Sequence, residues 1–450
     1  MQTTTGALTM DLINKYHREY NAHPMNRVAR NAVTKTALPE VAMNRDVLNT
    51  TDFTFSHIVK TGDATAQMAS GRCWMFAGLN TMRILAMKKM NLATFELSQS
   101  YTFFWDKLEK SNYFLENVID TADEDVQSRI VMWLLGGPLG DGGQWDMFAN
   151  LINRYGVVPK TVMPETFNSS NSGHVNYFVT LKLKEDAMLL RQMHKKGASL
   201  AALRLVKSEM MSEIYKMLVI YFGEPPREFL WQYRDKKGKF HRDPKPLTPL
   251  AFYKKYVNLD LDETVSVINC PTKDKPYNRM YTVQYLGNVK GGQAVRYLNL
   301  DINVLKSTAA AMLKDKQPVW FGCDVGKMFS RDGGIMDMKL YEYDKLLGVN
   351  FGMDKAERVD YCDSLMTHAM VLTGVNLVNN KPTKWKVENS WGDKVGDKGS
   401  FVMSDEWFSE YLYQVVIETS YLPPKMQKIL KEKPVVLKPW DPMGSLAIMH

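Results

Sequence analysis

Cysteine is scarce in this sequence: four residues in 450, at positions 73, 270, 323 and 362, with no Cys-x-x-Cys pair. That excludes a disulfide scaffold of the secreted kind and a zinc site built on paired thiolates. No apolar run approaches the roughly 18 residues that a spanning helix needs. The opening MQTTTGALTMDLINKYHREY has no basic start followed by an apolar core, so it does not read as a signal peptide. His-Glu-x-x-His and the phosphate-binding Gly-x4-Gly-Lys-Ser/Thr are also missing, and the glycine-rich 136–143 stretch has no lysine to reach a phosphate. Neither sign of charge dominates: 57 Lys and Arg face 49 Asp and Glu, a net +8 that is mild for this length. The expectation is a cytoplasmic protein with reduced thiols, no membrane association, no metal and no cofactor.

What is present is ordinary globular material, 45% hydrophobic and 24% charged. At about 150 residues per domain the length suggests about three domains or one elaborated one. Residues 8–20 read as a short amphipathic helix, and 21–60, with Pro24 and Pro39, as irregular. The stretch 73–90 has apolar residues at helical spacing and ends at Asn91; a second helix covers 97–110. Residues 136–143, GGPLGDGG, form a loop, since five glycines in eight positions suit close backbone approach and little else. Two helices broken at Gly197 span 182–222, mixed structure follows, and 307–316 is helical again. The runs PVWFGCDV, HAMVLTGVNLV, KWKVENSW, GSFVMS and YQVVIET predict a small antiparallel sheet or barrel. Pro423, Pro424, Pro434 and Pro439 mark an extended C-terminal arm.

The chemistry concentrates around Gln67-Met-Ala-Ser-Gly-Arg-Cys73-Trp74. Cys73 opens a helix directly after a glycine turn, where the helix dipole favours a thiolate. The backbone N–H of Cys73 and the amide of Gln67 supply two donors for a developing oxyanion. A thiolate needs a base. His17, His194 and His241 lie in charged segments, His23 and His57 in the irregular N-terminal region, His174 after a polar turn, and His450 is the last residue. His368 alone is flanked by apolar, strand-like sequence. Asn389 closes a later strand-like run within Val-Glu-Asn-Ser-Trp-Gly, where its carbonyl can fix the imidazole tautomer and Trp391 can exclude water from that bond. Cys270, Cys323 and Cys362 have no such context and are assigned to packing.

The order Cys, His, Asn with these contexts resembles the papain-like cysteine peptidases. The usual Cys-Gly-Ser/Ala-Cys-Trp/Tyr stands here as Ser70-Gly71-Arg72-Cys73-Trp74, so the first cysteine and the small residue both differ. The closer resemblance is to the bleomycin hydrolase and aminopeptidase C branch, through SGRCWMFA (70–77), ELSQSYTFFWDK (96–107), DGGQWDM (141–147), VWFGCDVGK (319–327), DSLMTHAM (363–370), VENSWG (387–392), DEWFSEY (405–411) and WDPMGSLA (440–447). The resemblance implies an α+β, two-lobed fold, with a helical lobe, an antiparallel β-barrel-like lobe, a large mostly helical insertion and a C-terminal arm. It implies Cys73 as nucleophile, His368 as general base and acid, Asn389 as orienter and Gln67 as oxyanion donor. Gly142 and Gly143 match the loop whose backbone pairs with substrate, and Trp391 matches the shielding indole.

Cysteine and histidine are much farther apart here than the 130–150 or so residues of short papain-like enzymes. The implied organisation is an N-terminal extension (1–60), a helical lobe with the nucleophile (61–173), an inserted oligomerisation segment (174–310), a β lobe with His and Asn (311–420) and an arm reaching the cleft (421–450). The resemblance further implies a homohexamer with internal active sites and peptide substrates. The activity implied is a cysteine aminopeptidase working through a thioester, with bleomycin hydrolysis alongside. Relatives end near Ala447, the position that anchors the substrate's ammonium; here Ile448, Met449 and His450 follow, and self-trimming is the expectation. The alternative within the fold is an oligopeptide endopeptidase. The alternative of another class is a nucleic-acid-binding protein using a basic channel, and no recognised nucleic-acid motif supports it.

Overall fold

The computed structural model describes residues 6–448. Twelve strands form one sheet. At its centre Val319–Cys323 pairs antiparallel with Leu412–Glu418 on one side and His368–Val378 on the other. All five residues of Val319–Cys323 are buried, as a continuous apolar run between two neighbours requires. His368–Val378 pairs in turn with Lys381–Glu388, and that strand with Ser400–Ser404. On the opposite side, Thr264–Ile268, Tyr297–Asn299 and Arg279–Val283 continue the sheet outward from Leu412–Glu418. The sheet is therefore mixed rather than small and antiparallel: Thr264–Ile268 with Tyr297–Asn299 and Ser400–Ser404 with Ile335–Met336 are parallel pairs.

The helix Cys73–Met90 lies against this sheet, and every residue from Cys73 to Arg83 is buried. A helix enclosed on all sides belongs in a core, so its polar residues must find partners. Asn80 donates to Thr65 Oγ1 at 3.0 Å and Thr81 to the Gly78 carbonyl at 2.7 Å. Arg83 reaches Glu388 at 2.6 Å and the Asp63 carbonyl at 2.8 Å. A Cβ at Gly78 would meet the Phe148 ring at 2.7 Å, so only glycine lets the helix Trp145–Tyr155 pack this closely. Asn91 ends the helix in the left-handed region at φ 53°, as expected. The second helix, Gln99–Asp120, is longer than expected, and Gly173–Lys195 and Leu200–Phe222 pack against it.

Two expectations are corrected. Residues 21–60 contain the helices Pro24–Val33, Leu38–Ala42 and Arg45–Thr50. Pro24 and Pro39 occupy first-turn positions, where a missing N–H costs nothing and the fixed φ suits the helix. They start helices rather than break them. The arm is also not simply extended: it holds a short helix, Pro424–Ile429, and a strand, Val435–Leu437, paired parallel to Arg279–Val283.

Arg83 and Glu388 join the central helix to the strand that precedes Asn389, with both side chains almost fully buried. Arg83→Met leaves the carboxylate buried without its cation and should lower unfolding free energy by about 3–5 kcal/mol in a denaturant titration. The double variant with Glu388→Gln should recover much of that loss.

Candidate active site

Cys73, His368, Trp391 and Gln67 line one cleft of about 720 Å³, with Asp141, Asp324 and Gly326 also on its wall. Cys73 is the first residue of its helix, and no side chain caps the helix start. The backbone N–H groups of Ala369, Trp74 and Cys73 itself favour the ionised sulfur. The first comes from the strand that begins at His368. Burial still dominates. It pushes the Cys73 thiol up to about 11, and the Asp141 carboxylate adds to the rise. The N–H groups of the helix start do lower the thiol, as expected, but burial outweighs them, because Cys73 is only 1% exposed and a lone thiolate there loses its hydration.

His368 Nε2 lies 2.8 Å from Asn389 Oδ1, both residues buried. The same Asn389 oxygen accepts the Ser390 N–H at 2.8 Å, which holds the amide in place. Trp391 covers the imidazole with ring centroids 4.9 Å apart, and the Arg331 guanidinium lies over the indole at 4.9 Å from its centroid. Gly392 adopts φ 81° as the chain turns, and its N–H reaches the Thr65 carbonyl at 2.9 Å. That turn ties the Asn389 loop to the segment before Cys73. The Gln67 N–H donates to the Ser390 carbonyl at 2.8 Å, and the Ser390 hydroxyl donates to Gln67 Oε1 at 2.7 Å. Gln67 Nε2 in turn donates to the Ser70 carbonyl at 2.6 Å.

The two glycines after Asp141 have different surroundings. A Cβ at Gly142 would lie 2.2 Å from the Leu446 carbonyl oxygen and 3.1 Å from Ala447, so the C-terminal arm sits directly on this backbone. A Cβ at Gly143 would strike the Trp74 indole at 2.5 Å, which makes Gly143 a packing contact under the helix that Cys73 opens. The arm is fixed along its length. Arg129 stacks over Trp440 at 3.7 Å, Lys275 pairs with Asp441 at 3.1 Å, Tyr297 donates to the Met443 carbonyl at 3.0 Å, and Ser445 donates to the Met366 carbonyl at 2.8 Å. Ile448 is described and exposed, whereas Met449 and His450 lie outside the described residues. Among the other cysteines, Cys270 and Cys323 are buried as expected, but Cys362 is exposed and serves no packing role.

Sequence reasoning missed the charges that brace the Cys73 loop. Asp141 Oδ2 accepts the Gly71 N–H at 2.8 Å and the Ser172 hydroxyl at 2.5 Å; its Oδ1 accepts Lys107 at 2.6 Å and Asn176 at 2.8 Å. The Asp141 carbonyl also takes the Trp74 indole N–H at 2.7 Å. One residue thus holds the chain on both sides of Cys73. Arg72, fully buried between the Phe76 and Phe103 rings, pairs with Glu165 at 2.9–3.0 Å. The only sequence signal was that Arg72 and Asp141 are charged residues inside otherwise apolar or glycine-rich motifs.

The Lys107 ammonium and neighbouring donors hold the Asp141 carboxyl well below the usual carboxylate range, although burial opposes them. A depressed folded value means that the stability it contributes is present above pH 4 or so and is lost as pH falls toward the folded value. Asp141→Asn should therefore be less stable than wild type at pH 7, and the gap should narrow in acid unfolding below about pH 4. Thermal unfolding scanned across pH measures it.

A thiol at a helix start, an imidazole fixed by an amide and convergent N–H donors are the parts needed for nucleophilic acyl transfer. Comparison with known proteins agrees with that chemistry. The model of the Peptidase C1-like family matches residues 7–444. The chain is 48% identical to Aminopeptidase C of Streptococcus thermophilus over 98% of its length and 99% of the relative's. It is 40% identical to human Bleomycin hydrolase, covering 99% and 100% of the two chains. The crystal structure of PepW from Lactobacillus rhamnosis superposes with a TM-score of 0.96 at 50% identity, over 98% of this chain and 99% of that one. The chain belongs to the Peptidase C1-like family and is a cysteine-type peptidase.

Proposed function

We propose that the protein is a cysteine aminopeptidase in which Cys73 is the nucleophile, His368 the general base and acid, and Asn389 the group that orients the imidazole. The observation that carries this reading is the arm. Leu446 and Ala447 lie against Gly142, the residue after Asp141 on the cleft wall, and on this reading they take the place of an extended peptide on that backbone. A peptide can then extend only a short way past the sulfur, and its first residue is the one cleaved.

With Nε2 held by Asn389, Nδ1 exchanges the proton. Burial holds the lone thiol near 11, so ionisation is coupled: Cys73 loses its proton as His368 gains it, and the resulting ion pair supplies what the lost hydration withheld. The sulfur then attacks the carbonyl of the N-terminal residue. The oxyanion is received by the Cys73 N–H and by Gln67, whose Nε2 has a second hydrogen besides the one given to Ser70. His368 protonates the departing amine, leaving a thioester on Cys73. Water, deprotonated by His368, attacks the thioester and regenerates the thiol. Trp391 keeps bulk water from the His368–Asn389 bond.

Human Bleomycin hydrolase is a relative over the full chain, so hydrolysis of bleomycin is proposed as a further activity. Self-trimming is proposed for Ile448, Met449 and His450, leaving a carboxylate near Ala447 to pair with the substrate's ammonium. Assembly as a homohexamer is supported by apolar side chains left largely in solvent among the described residues. The helix Met10–Ala22 buries no residue, and Phe167, Tyr177, Leu205 and Ile220 are each more than 60% exposed. Free cysteines throughout suit a reducing compartment, and the cytoplasm is proposed.

Peptide amides with free N-termini should be hydrolysed and their acetylated counterparts spared, with Cys73→Ser slower by at least about 10³-fold. Deleting residues 441–450 should make acetylated peptides substrates; an unchanged preference contradicts the arm's role. Intact mass should show a C-terminal loss in wild type and none in Cys73→Ala, and identical full-length masses refute self-trimming.

A further inference from the structure

A second cavity, of about 760 Å³, opens beside the catalytic cleft and shares Gly326 with it. It lies where the arm does not reach: no residue of 440–448 lines it, whereas Ala447 and Ile448 line a different cavity beyond Gly142. Its inner wall is continuous with the site, because Phe329 touches the Trp391 ring at 6.0 Å between centroids and Trp391 covers His368. Its other walls are aromatic and aliphatic, with Tyr341 stacked on Tyr343 at 5.1 Å and fixed by a hydrogen bond to the Phe329 carbonyl at 3.1 Å. Leu347, Phe351 and Met353 form an outer rim and are 43%, 65% and 44% exposed. That rim is held rather than loose, since Arg358 donates to the Met353 carbonyl at 2.7 Å. The charges nearby are largely spent on each other: Lys327 pairs with Asp363 at 3.1 Å, and Arg358 pairs with Glu410. Asp344 supplies a carboxylate at the edge.

An exposed apolar surface rimmed by polar groups, in contact with a reactive cleft, marks a binding surface. The arm blocks the Gly142 end, so the peptide released by thiol attack leaves toward Gly326 and Trp391. We propose that this cavity binds a bulky apolar side chain, aromatic or long aliphatic, from one of the first two residues after the scissile bond. The enzyme then selects substrates by the residues that follow the one it removes. The proposal rests on the catalytic reading of Cys73 and on the arm defining the blocked end.

The test compares alaninamide, whose leaving group is only ammonia, with Ala-Gly-Gly, Ala-Phe-Gly and Ala-Gly-Phe amides. At least one phenylalanine peptide should exceed Ala-Gly-Gly in kcat/KM by about tenfold. Phe351→Asp and, separately, Leu347→Ser should erase that preference while leaving alaninamide turnover unchanged. Equal turnover of the three peptides overturns the proposal, as does a preference that survives both variants. If the variants instead alter the assembly mass with the preference intact, a second copy of the chain covers this surface and the proposal fails. If only acetylated peptides are cleaved, the aminopeptidase reading fails while the same comparison on acetylated peptides still decides the cavity. No hydrolysis of any peptide sinks both.

Discussion

The sulfur of Cys73 is placed where the first turn of a helix meets the first residues of a strand, and the rest of the site depends on that junction. The Ala369 N–H, one residue past His368, favours the thiolate together with the N–H groups of Cys73 and Trp74. Helix and sheet must therefore be held in register. Trp320 on the central strand donates to the Trp74 carbonyl at 3.0 Å, Arg83 grips Glu388, and Gln67 is bonded through backbone and side chain to Ser390. Each tie crosses from the segment around Cys73 to the sheet carrying His368 and Asn389. A shift along any of them moves the thiol relative to the imidazole, and small misplacements of reacting groups are costly in rate.

Burial gives that junction its chemical character. It excludes water, which strengthens the His368–Asn389 bond, and it raises the thiol so that sulfur does not ionise alone. In the proposed mechanism, reactivity becomes a property of the pair. The same economy applies to the buried charges around the loop. Asp141 and Arg72 lie among aromatic rings and helix ends, and each is matched by an opposite charge, Lys107 or Glu165, and by further hydrogen bonds. A carboxylate so satisfied positions Gly71 more firmly than a neutral side chain could.

The positions to which the chemistry is proposed stood out in the sequence because each one lay in a local context with a physical purpose. Cys73 followed a glycine turn at a helix start, His368 opened an apolar strand, and Asn389 closed another. Their convergence joins residues hundreds of positions apart, and the family resemblance supplied it where spacing could not. The central strands were legible as apolar runs, and MYTVQYL as a strand-like piece, whereas the outer strand Tyr297–Asn299 was hidden in polar, tyrosine-rich sequence whose burial comes from tertiary packing. Pro24 and Pro39 misled because proline both breaks a helix interior and starts a helix. Asp141 was overlooked because its glycine neighbours drew the reading toward the backbone of the loop rather than its side chains. Its partners Lys107, Ser172 and Asn176 come from elements that no local pattern connects to it.

The account stands most directly on the coupling between Cys73 and His368, and alkylation of the sulfur measures it. In wild type at neutral pH, iodoacetamide should modify Cys73 rapidly, with exposed Cys362 as the internal reference for an ordinary thiol. In His368→Ala the neutral-pH reaction at Cys73 should nearly vanish and return only as pH rises toward the value near 11 that burial sets. Equal neutral-pH alkylation of Cys73 in the two proteins would contradict the account.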